Sequence, residues 1–333
     1  VSRGLGDVYK RQGWKHVVDR IKMVNASQFK ELYSEQLVNE KNPAFDFSGW
    51  NADTDWQDEV LQNGFITNNN ISVTGASEKH SFYLGMGYSY EQGNIKHEKF
   101  SKITLNASNE YKITDKIKVG FQFNGARMLP ADSKSVLNAV RTTPIAPVFN
   151  EEYQLYAALP EFQKAQMMNP MVDVDLKANT TRAENYRASG NIYGEVDFLE
   201  HFNFRAVFSM DYGSNNGRTY QPIIKVYDNT VKGNVATLGT GKTEVSQFKE
   251  NETKVQSDYV LTYTNSFGDH NLTATAGFTT YYNSLSRLDA ARGQGIGLVI
   301  PDNPDKWFVS IGDLATATNG STQWERTTVS FLG

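Results

Sequence analysis

The chain has 333 residues, a formal net charge of −4, and 21% charged against 39% hydrophobic residues. This balance excludes a disordered chain and argues against nucleic acid as the main partner. The absence of cysteine excludes disulfide scaffolds, thiol nucleophiles and cysteine-bound metals. No apolar run approaches the roughly 20 residues of a membrane-spanning helix, although the strands of a membrane barrel give a much weaker hydropathy signal.

The N-terminal stretch resembles sequence from a cloning or sequencing step. Residues 7–12 read DVYKRQ, which is similar to the translation of a transposon-end adaptor used in shotgun libraries. We therefore assign residues 1–12 to an adaptor, with an ordinary exposed tail as the alternative. Such residues have no selected partner, so we expect them to lie outside the β-ladder or to substitute poorly for a strand.

A helix and a loop are predicted next. Residues 27–38 form the predicted helix, with Ser27 as its cap and an apolar stripe that includes Phe29. Residues 42–70 form the predicted loop, which contains the sequence DTDWQDEV. Asp53 and Asp55 lack the glycine and the distal glutamate of a calcium loop. The segment is therefore interpreted as a solvated loop anchored by its tryptophan.

Alternation with a period of two dominates residues 80–125. Phe82, Leu84 and Met86 alternate with small or polar residues, and Phe121 and Phe123 do so further along. This pattern predicts strands with one apolar and one polar face. Eight long strands and a truncated ninth are predicted at residues 71–77, 81–90, 100–111, 117–127, 185–199, 202–213, 255–267, 271–282 and 324–332.

The lengths of strands and connections separate a membrane barrel from a soluble sandwich. Short turns alternate with connections of up to several tens of residues, which is typical of barrels with tight periplasmic turns and long extracellular loops. Sandwich strands average about 5–6 residues, whereas several strands here reach the roughly 9–11 residues that cross a bilayer at a tilt. The pattern favours an all-β, antiparallel transmembrane barrel with short helices in its N-terminal segment and loops.

Aromatic residues of the apolar face are predicted to form two bands, as the interfacial girdles of a barrel require. The band near the short turns comprises Phe82, Tyr111, Phe198, Phe202 and Phe267, and the band near the long loops comprises Tyr88, Tyr90, Tyr186, Tyr212 and Tyr282. The polar face, which would line the lumen, includes Asn124, Arg187 and Asp211.

Several stretches resemble one family. The run NNNISVTGASEKHSFYLGMGYSYEQGNIKHEKFSKITLNAS, preceded by TDWQDEV, looks like the early barrel of SusC/RagA-type TonB-dependent outer-membrane transporters of Bacteroidetes. The segment GWKHVVDRIKMVNASQFKELYSEQ resembles the region after the family's first barrel strand. SFGDHNLTATAGF resembles one of its recurrent hairpins. The resemblance covers residues 13–333, and the spacing from TDW to SVTGAS is its most specific part.

The resemblance implies a barrel of 22 strands, of which residues 13–333 would be the first third to half. A plug domain and a TonB box are expected upstream, with further barrel strands downstream. It also implies import of a large polar nutrient, an oligosaccharide or a peptide. The implied partners are a SusD-like surface lipoprotein, the TonB–ExbB–ExbD complex and outer-membrane lipid. The alternatives are a siderophore or metal-chelate receptor and a barrel that anchors an adhesin.

Candidate site residues are few. The five histidines show no metal-ligand spacing, and no arrangement of nucleophile and base or of paired carboxylates points to catalysis, so no enzyme, metal or cofactor is predicted. Aromatic side chains in the long loops could stack on ligand, although such side chains more often pack the loop itself. The candidates for ligand contact are Tyr153, Tyr156, Tyr220, Tyr227 and Trp307. The identity of the ligand cannot be read from the sequence.

Overall fold

The computed structural model describes residues 3–132, 134, 136–230 and 233–332. Within these ranges the strands run in chain order as β1 (Arg3–Lys15), β2 (Gly64–Ala76), β3 (His80–Gln92), β4 (Lys99–Lys112), β5 (Ile117–Leu129), β6 (Phe149–Asn150), β7 (Leu155–Tyr156), β8 (Thr181–Phe198), β9 (Phe202–Gln221), β10 (Ile224–Tyr227), β11 (Val235–Leu238), β12 (Glu244–Phe267), β13 (His270–Gly293) and β14 (Thr318–Leu332).

Ten of these strands form one sheet, and every pair of neighbours in it is antiparallel. Their order in the sheet is their order in the chain, β1-β2-β3-β4-β5-β8-β9-β12-β13-β14. The four remaining strands form two small pairs, β6 with β7 and β10 with β11. The prediction of an all-β, antiparallel fold is confirmed, with ten strands in the meander where nine were predicted.

Helices are short and lie in the connections. They are α1 (Ala26–Asn39), α2 (Trp56–Val60), α3 (Leu137–Arg141), α4 (Glu161–Lys164), a π-helical turn at Val172–Leu176 and single 3-10 turns at Pro304–Lys306, Val309–Ile311 and Leu314–Thr316. Within the described ranges, no helix has the length and apolar character needed to cross a membrane.

The predicted helix at residues 27–38 is confirmed, but its cap differs. Asn25, not Ser27, caps α1: its side chain accepts a hydrogen bond from the Gln28 backbone, and the Gln28 side chain accepts one from the Asn25 backbone. This reciprocal pair satisfies two amide groups that a helix start leaves open. The sequence also has helical patterns at residues 133–141 and 161–168; in the structure they are reduced to α3 and α4, and Ser133 lies outside the described residues.

The connections sort by length onto the two ends of the sheet. The connections from β2 to β3, β4 to β5, β8 to β9 and β12 to β13 have two to four residues each, and we call their side the turn end. The opposite side, the loop end, carries residues 16–63, 93–98, 130–180, 222–243 and 294–317. The predicted alternation of short and long connections is therefore confirmed.

Most strands extend further toward the loop end than the sequence pattern predicted. β12 and β13 have 24 residues each and pair without interruption from Glu244 opposite Gly293 to Phe267 opposite His270. The parts of β12 and β13 nearest the loop end are polar, so the alternation that marks a strand with one apolar face is absent there. Pairing continues because the ladder joins backbone groups and does not require apolar side chains.

Strand β1 contradicts part of the prediction for residues 1–12. Arg3–Lys15 pairs with Gly64–Ala76 along its full length, so the expectation that this stretch lies outside the ladder is wrong. Its side chains match the face poorly. Gly6, Val8, Lys10 and Gln12 pair with the positions of β2 that share a face with Leu84 and Met86, and only Val8 is apolar. Assignment of residues 1–12 to an adaptor stays a proposal.

The register divides the sheet into two faces. The apolar face carries Phe121, Ile192 and Phe208, which are paired neighbours on β5, β8 and β9. The polar face carries the alternate positions, such as Gln122, Asn191 and Ser209. The apolar side chains are exposed in the part of the chain that is described: Ile192 is 61% exposed and Phe208 46%. One uncovered sheet is not the soluble sandwich that the sequence left as an alternative.

One close contact across the sheet gives a prediction for stability. Gly217 of β9 lies opposite Phe248 of β12, and a Cβ at Gly217 would lie 2.2 Å from the Cε1 atom of the Phe248 ring. Gly217→Ala should displace the ring and lower the free energy of unfolding by about 1–3 kcal/mol, the usual effect of overpacking. Urea unfolding of the protein in detergent micelles measures this change.

Gly213→Ala is the matched control on the same strand and face, because a Cβ at Gly213 has no neighbour within 4 Å. This substitution should leave stability unchanged or raise it, since alanine has less conformational freedom than glycine in the unfolded chain. Equal destabilisation by both substitutions would contradict the packing of Phe248 over Gly217.

Candidate ligand-binding surface

Three long connections at the loop end pack into one unit, which we call the loop cap. It comprises the described parts of residues 16–63, 130–180 and 222–243. Its main apolar core consists of buried side chains from the first two connections: Ala26, Trp50, Trp56, Val60, Ala139, Ile145, Ala146, Leu159, Met171 and Val174. A folded core means that the loops present a defined surface.

The short helix α2 attaches the first connection to the second. Asp55 caps α2 by accepting hydrogen bonds from the amides of Gln57 and Asp58. Trp56 is 3% exposed, and its Nε1 donates to the carbonyl oxygen of Thr143 at 2.9 Å. Asp53 accepts a hydrogen bond from the Ala26 amide at 2.7 Å. The tryptophan is thus the anchor that the sequence indicated, and both aspartates hold backbone.

The third connection joins the loop cap through a second small core. Ile224 and Val226 of β10 pack against Val172, and the Ala158 amide donates to the carbonyl oxygen of Tyr227 at 2.7 Å. The connection between β3 and β4 also reaches the cap, because His97 Nε2 lies 2.8 Å from Asp175 Oδ1. Tyr156 donates to the other oxygen of Asp175 at 2.5 Å. Burial, followed by this hydrogen bond, raises the pKa of Tyr156.

The five aromatic residues predicted to contact ligand lie in separate parts of the loop end. Tyr153 stacks on Tyr227 with ring centroids 4.5 Å apart, and Tyr156 lies edge-on to Phe149. Tyr220 stacks on Trp307 at 5.2 Å, away from the other three. The structure therefore places Tyr153, Tyr156 and Tyr227 in the loop cap and Tyr220 with Trp307 in a separate core.

Burial limits what the five rings can contact. Tyr220, Tyr227 and Trp307 are 4%, 7% and 1% exposed, whereas Tyr153 and Tyr156 are half-buried. Tyr220 donates its hydroxyl to the carbonyl oxygen of Ile300 at 3.0 Å, which ties the connection from β13 to β14 to the sheet. In this arrangement the three buried rings pack the loops. Ligand contact by any of the five stays a prediction, and only Tyr153 and Tyr156 have accessible surface for it.

A polar cavity of about 440 Å³ opens between the three parts of the loop cap. Asp46 enters from the first connection, Glu161 and Lys164 from α4, and Asp228 and Asn229 from the third connection. The buried Nδ2 of Asn229 has no hydrogen-bond partner among the described residues. Burial opposes ionisation of Asp228, but hydrogen bonds from Thr230 and the nearby Lys164 hold its pKa below the usual value. The cavity offers charged and amide groups to a polar ligand.

The three side chains predicted to line a lumen share the polar face. Asn124 pairs with Ser189, and Ser189 pairs with Asp211, so Asn124, Ser189 and Asp211 form a row across β5, β8 and β9. Arg187 lies two positions from Ser189 on the same face of β8. Arg187 binds Asp211 through Nη2, which donates to Oδ2 at 2.6 Å, and through Nε, which donates to Oδ1 at 3.1 Å and to Oδ2 at 3.2 Å. Nearer the loop end on this face, Arg287 binds Asp289 at 2.8 Å and Glu250 at 3.1 Å.

Comparison with known proteins shows which proteins resemble this chain in sequence and architecture. No family model matches the chain. It is similar to TonB-dependent receptor P3 of Formosa agariphila, with 25% identity over 282 residues that are 80% of this chain and 26% of that protein. TonB-dependent receptor SusC of Bacteroides thetaiotaomicron is 23% identical over 192 residues, 51% of this chain and 18% of SusC.

The fold agrees. The structure of the RagAB peptide importer in the closed-closed state matches 99% of this chain and 40% of that one, with a TM-score of 0.76 and 15% sequence identity. In sequence and fold the chain is similar to SusC/RagA-type TonB-dependent receptors. It spans about a quarter or less of the length of the curated relatives it matches.

Two features of the structure were not found by sequence reasoning. The polar cavity of the loop cap was missed because its residues come from three connections far apart in the chain. The Arg287 cluster was missed because Glu250 lies in the polar part of β12, which was assigned to a loop. The sequence held one indication of the cavity, an aspartate two residues before a serine, which is typical of a turn. In the structure the Asp46 carboxylate accepts a hydrogen bond from the Ser48 amide at 2.9 Å, and both residues line the cavity.

Proposed function

We propose that this receptor imports a large polar nutrient, an oligosaccharide or a peptide, across the bacterial outer membrane as part of a closed barrel. The observation that carries the proposal is a single antiparallel meander with an exposed apolar face and with every long connection at one end. An exposed apolar face fits contact with lipid, and a polar face fits a wet lumen. The matched proteins include a peptide importer and SusC, which supports import of a nutrient.

The loop cap would bind the nutrient, and the polar face would line the path through which the nutrient crosses the membrane. The cap has its own core and a polar cavity, so it can present fixed donors and acceptors to a hydroxyl-rich or peptide ligand. A SusD-like surface lipoprotein would dock at the loop end. Energy would come from TonB–ExbB–ExbD acting on a plug, because an unplugged barrel of this width would be an open pore. We propose no catalytic, metal or cofactor role for these residues.

Uptake in the native organism tests this proposal. We expect the whole receptor to support growth on one class of oligosaccharide or peptide and to lose uptake when TonB is deleted. A surface lipoprotein should co-purify with it from outer membranes. Supplying an iron chelate as the only iron source is the control, because the siderophore alternative predicts TonB-dependent growth on that source instead. Uptake that persists without TonB would contradict the proposal.

A further inference from the structure

A groove of about 520 Å³ lies on the apolar face along β8. Its floor is Ala188 and Gly190, and Ile192 closes it toward the turn end. The floor is fixed by the backbone, because a Cβ at Gly190 would lie 2.4 Å from the carbonyl oxygen of Gln122. Large side chains of the flanking strands form its walls: Phe121, Phe123, Phe208, Met210 and Tyr212.

Cationic side chains follow the groove toward the loop end on the same face. In register order beyond Ala188, Tyr186 pairs with Arg127, Lys249 lies opposite Asn216, and Arg182 lies opposite Arg218. Arg127 binds Glu184 at 2.8 Å. Lys249 and Arg182 are exposed, and neither forms an ion pair with another described residue.

The charge is confined to one end. Near the loop end, the apolar face of β5, β8, β9 and β12 carries four cations against the single carboxylate of Glu184. Near the turn end, the same face of β4, β5, β8 and β9 carries no charged residue within the described ranges. The positions there are Asn109, Tyr111, Ile117, Val119, Val196, Phe198, Phe202 and Phe204. The asymmetry indicates an anionic ligand at the loop end only.

We propose that the groove holds one acyl chain of a phosphorylated lipid from the leaflet at the loop end, and that Lys249, Arg182 and Arg127 bind its headgroup. The inference rests on the membrane placement in the proposed function. Tyr186 and Gly190 are four positions apart on β8, about 13 Å at the rise of a strand. An acyl chain in the groove therefore places its headgroup at the level of the tyrosine band, where interfacial groups lie. Guanidinium and ammonium groups bind phosphate by charge-assisted hydrogen bonds.

Native mass spectrometry of the whole receptor, purified from outer membranes in mild detergent, tests the proposal. The probes are a bis-phosphorylated, multiply acylated glucosamine disaccharide and its dephosphorylated form. The unchanged receptor should retain the phosphorylated probe in preference. Lys249→Gln combined with Arg182→Gln should reduce this retention about tenfold. Ala188→Leu, which fills the groove, should reduce retention of both probes.

Matched controls are Lys79→Gln in a turn and Ala276→Leu on β13, which change the same residue types away from the groove and should leave retention unchanged. Equal retention of the two probes by the unchanged receptor would overturn the proposal, as would full retention by both groove variants. Outer-membrane assembly and nutrient uptake are measured on every variant. Absence of nutrient uptake by the unchanged receptor, with intact lipid retention, would count against the proposed function alone.

Discussion

Arginine in place of Ile192 should weaken folding of the receptor into a membrane by about 2–4 kcal/mol, the cost of a cation near the middle of the lipid-facing surface of a barrel. Ile192 lies midway along β8 on the apolar face, between Phe121 and Phe208, and is 61% exposed. Among the described residues no carboxylate shares this part of the face, so the charge would have no partner there. The free energy is measured by urea titration in lipid vesicles, and the assembled fraction in cells by heat-modifiable mobility.

Asn191→Arg is the matched control, because the neighbouring residue points to the polar face. There the guanidinium would meet water beside Gln122 and Ser209, and the stability should stay within about 0.5 kcal/mol of the parent receptor. A similar loss for both variants would show that the two faces meet the same solvent. That outcome would contradict the membrane placement.

Trp56→Ala is expected to unfold the loop cap while the sheet stays paired. The substitution removes the largest side chain of the α2 anchor and its hydrogen bond to Thr143, and such large-to-small changes cost about 3–5 kcal/mol. The cap has a small core of its own, so this loss is a large share of its stability. Limited proteolysis of intact cells should cut residues 136–180 much faster, and nutrient uptake and lipoprotein capture should fall together.

Trp14→Ala is the control, since Trp14 is 70% exposed on β1 and contacts Phe65 at a ring distance of 5.3 Å. It removes the same side chain without opening a buried cavity. The proteolysis of residues 136–180 should stay at the rate of the parent receptor. An unchanged cutting rate for the Trp56 variant would mean that the cap is held by the sheet and not by its own core.

The two faces of the sheet could be predicted because they depend on local alternation alone. Once the register of neighbouring strands is set, a period of two assigns every residue, and Asn124, Arg187 and Asp211 share the polar face as predicted. The pairing of strands at the turn end could also be predicted from local sequence, because a short turn joins two strands that pair with each other. The resemblance to SusC/RagA-type receptors then supplied the family, which residue patterns alone do not.

The loop end could not be predicted, because its structure depends on contacts between residues far apart in the chain. Trp56 binds Thr143 across 87 positions, and Tyr220 binds Ile300 across 80. No periodic pattern marks such contacts, so Tyr220 and Trp307 could not be recognised as packing partners. The parts of β12 and β13 nearest the loop end were not predicted as strand, because their polar residues lack the alternation of a strand with one apolar face.

The length of β12 and β13 has a mechanical consequence. Each runs for 24 residues, about 80 Å along the strand, whereas a tilted strand crosses hydrocarbon in roughly 9–11. More than half of this hairpin would stand clear of the bilayer as a continuous hydrogen-bonded rim. Because its strands are hydrogen-bonded throughout, such a rim is less flexible than an unpaired loop of the same length. If the proposed surface lipoprotein docks on this rim, a force on the lipoprotein would be transmitted along the paired strands to the part that crosses the membrane.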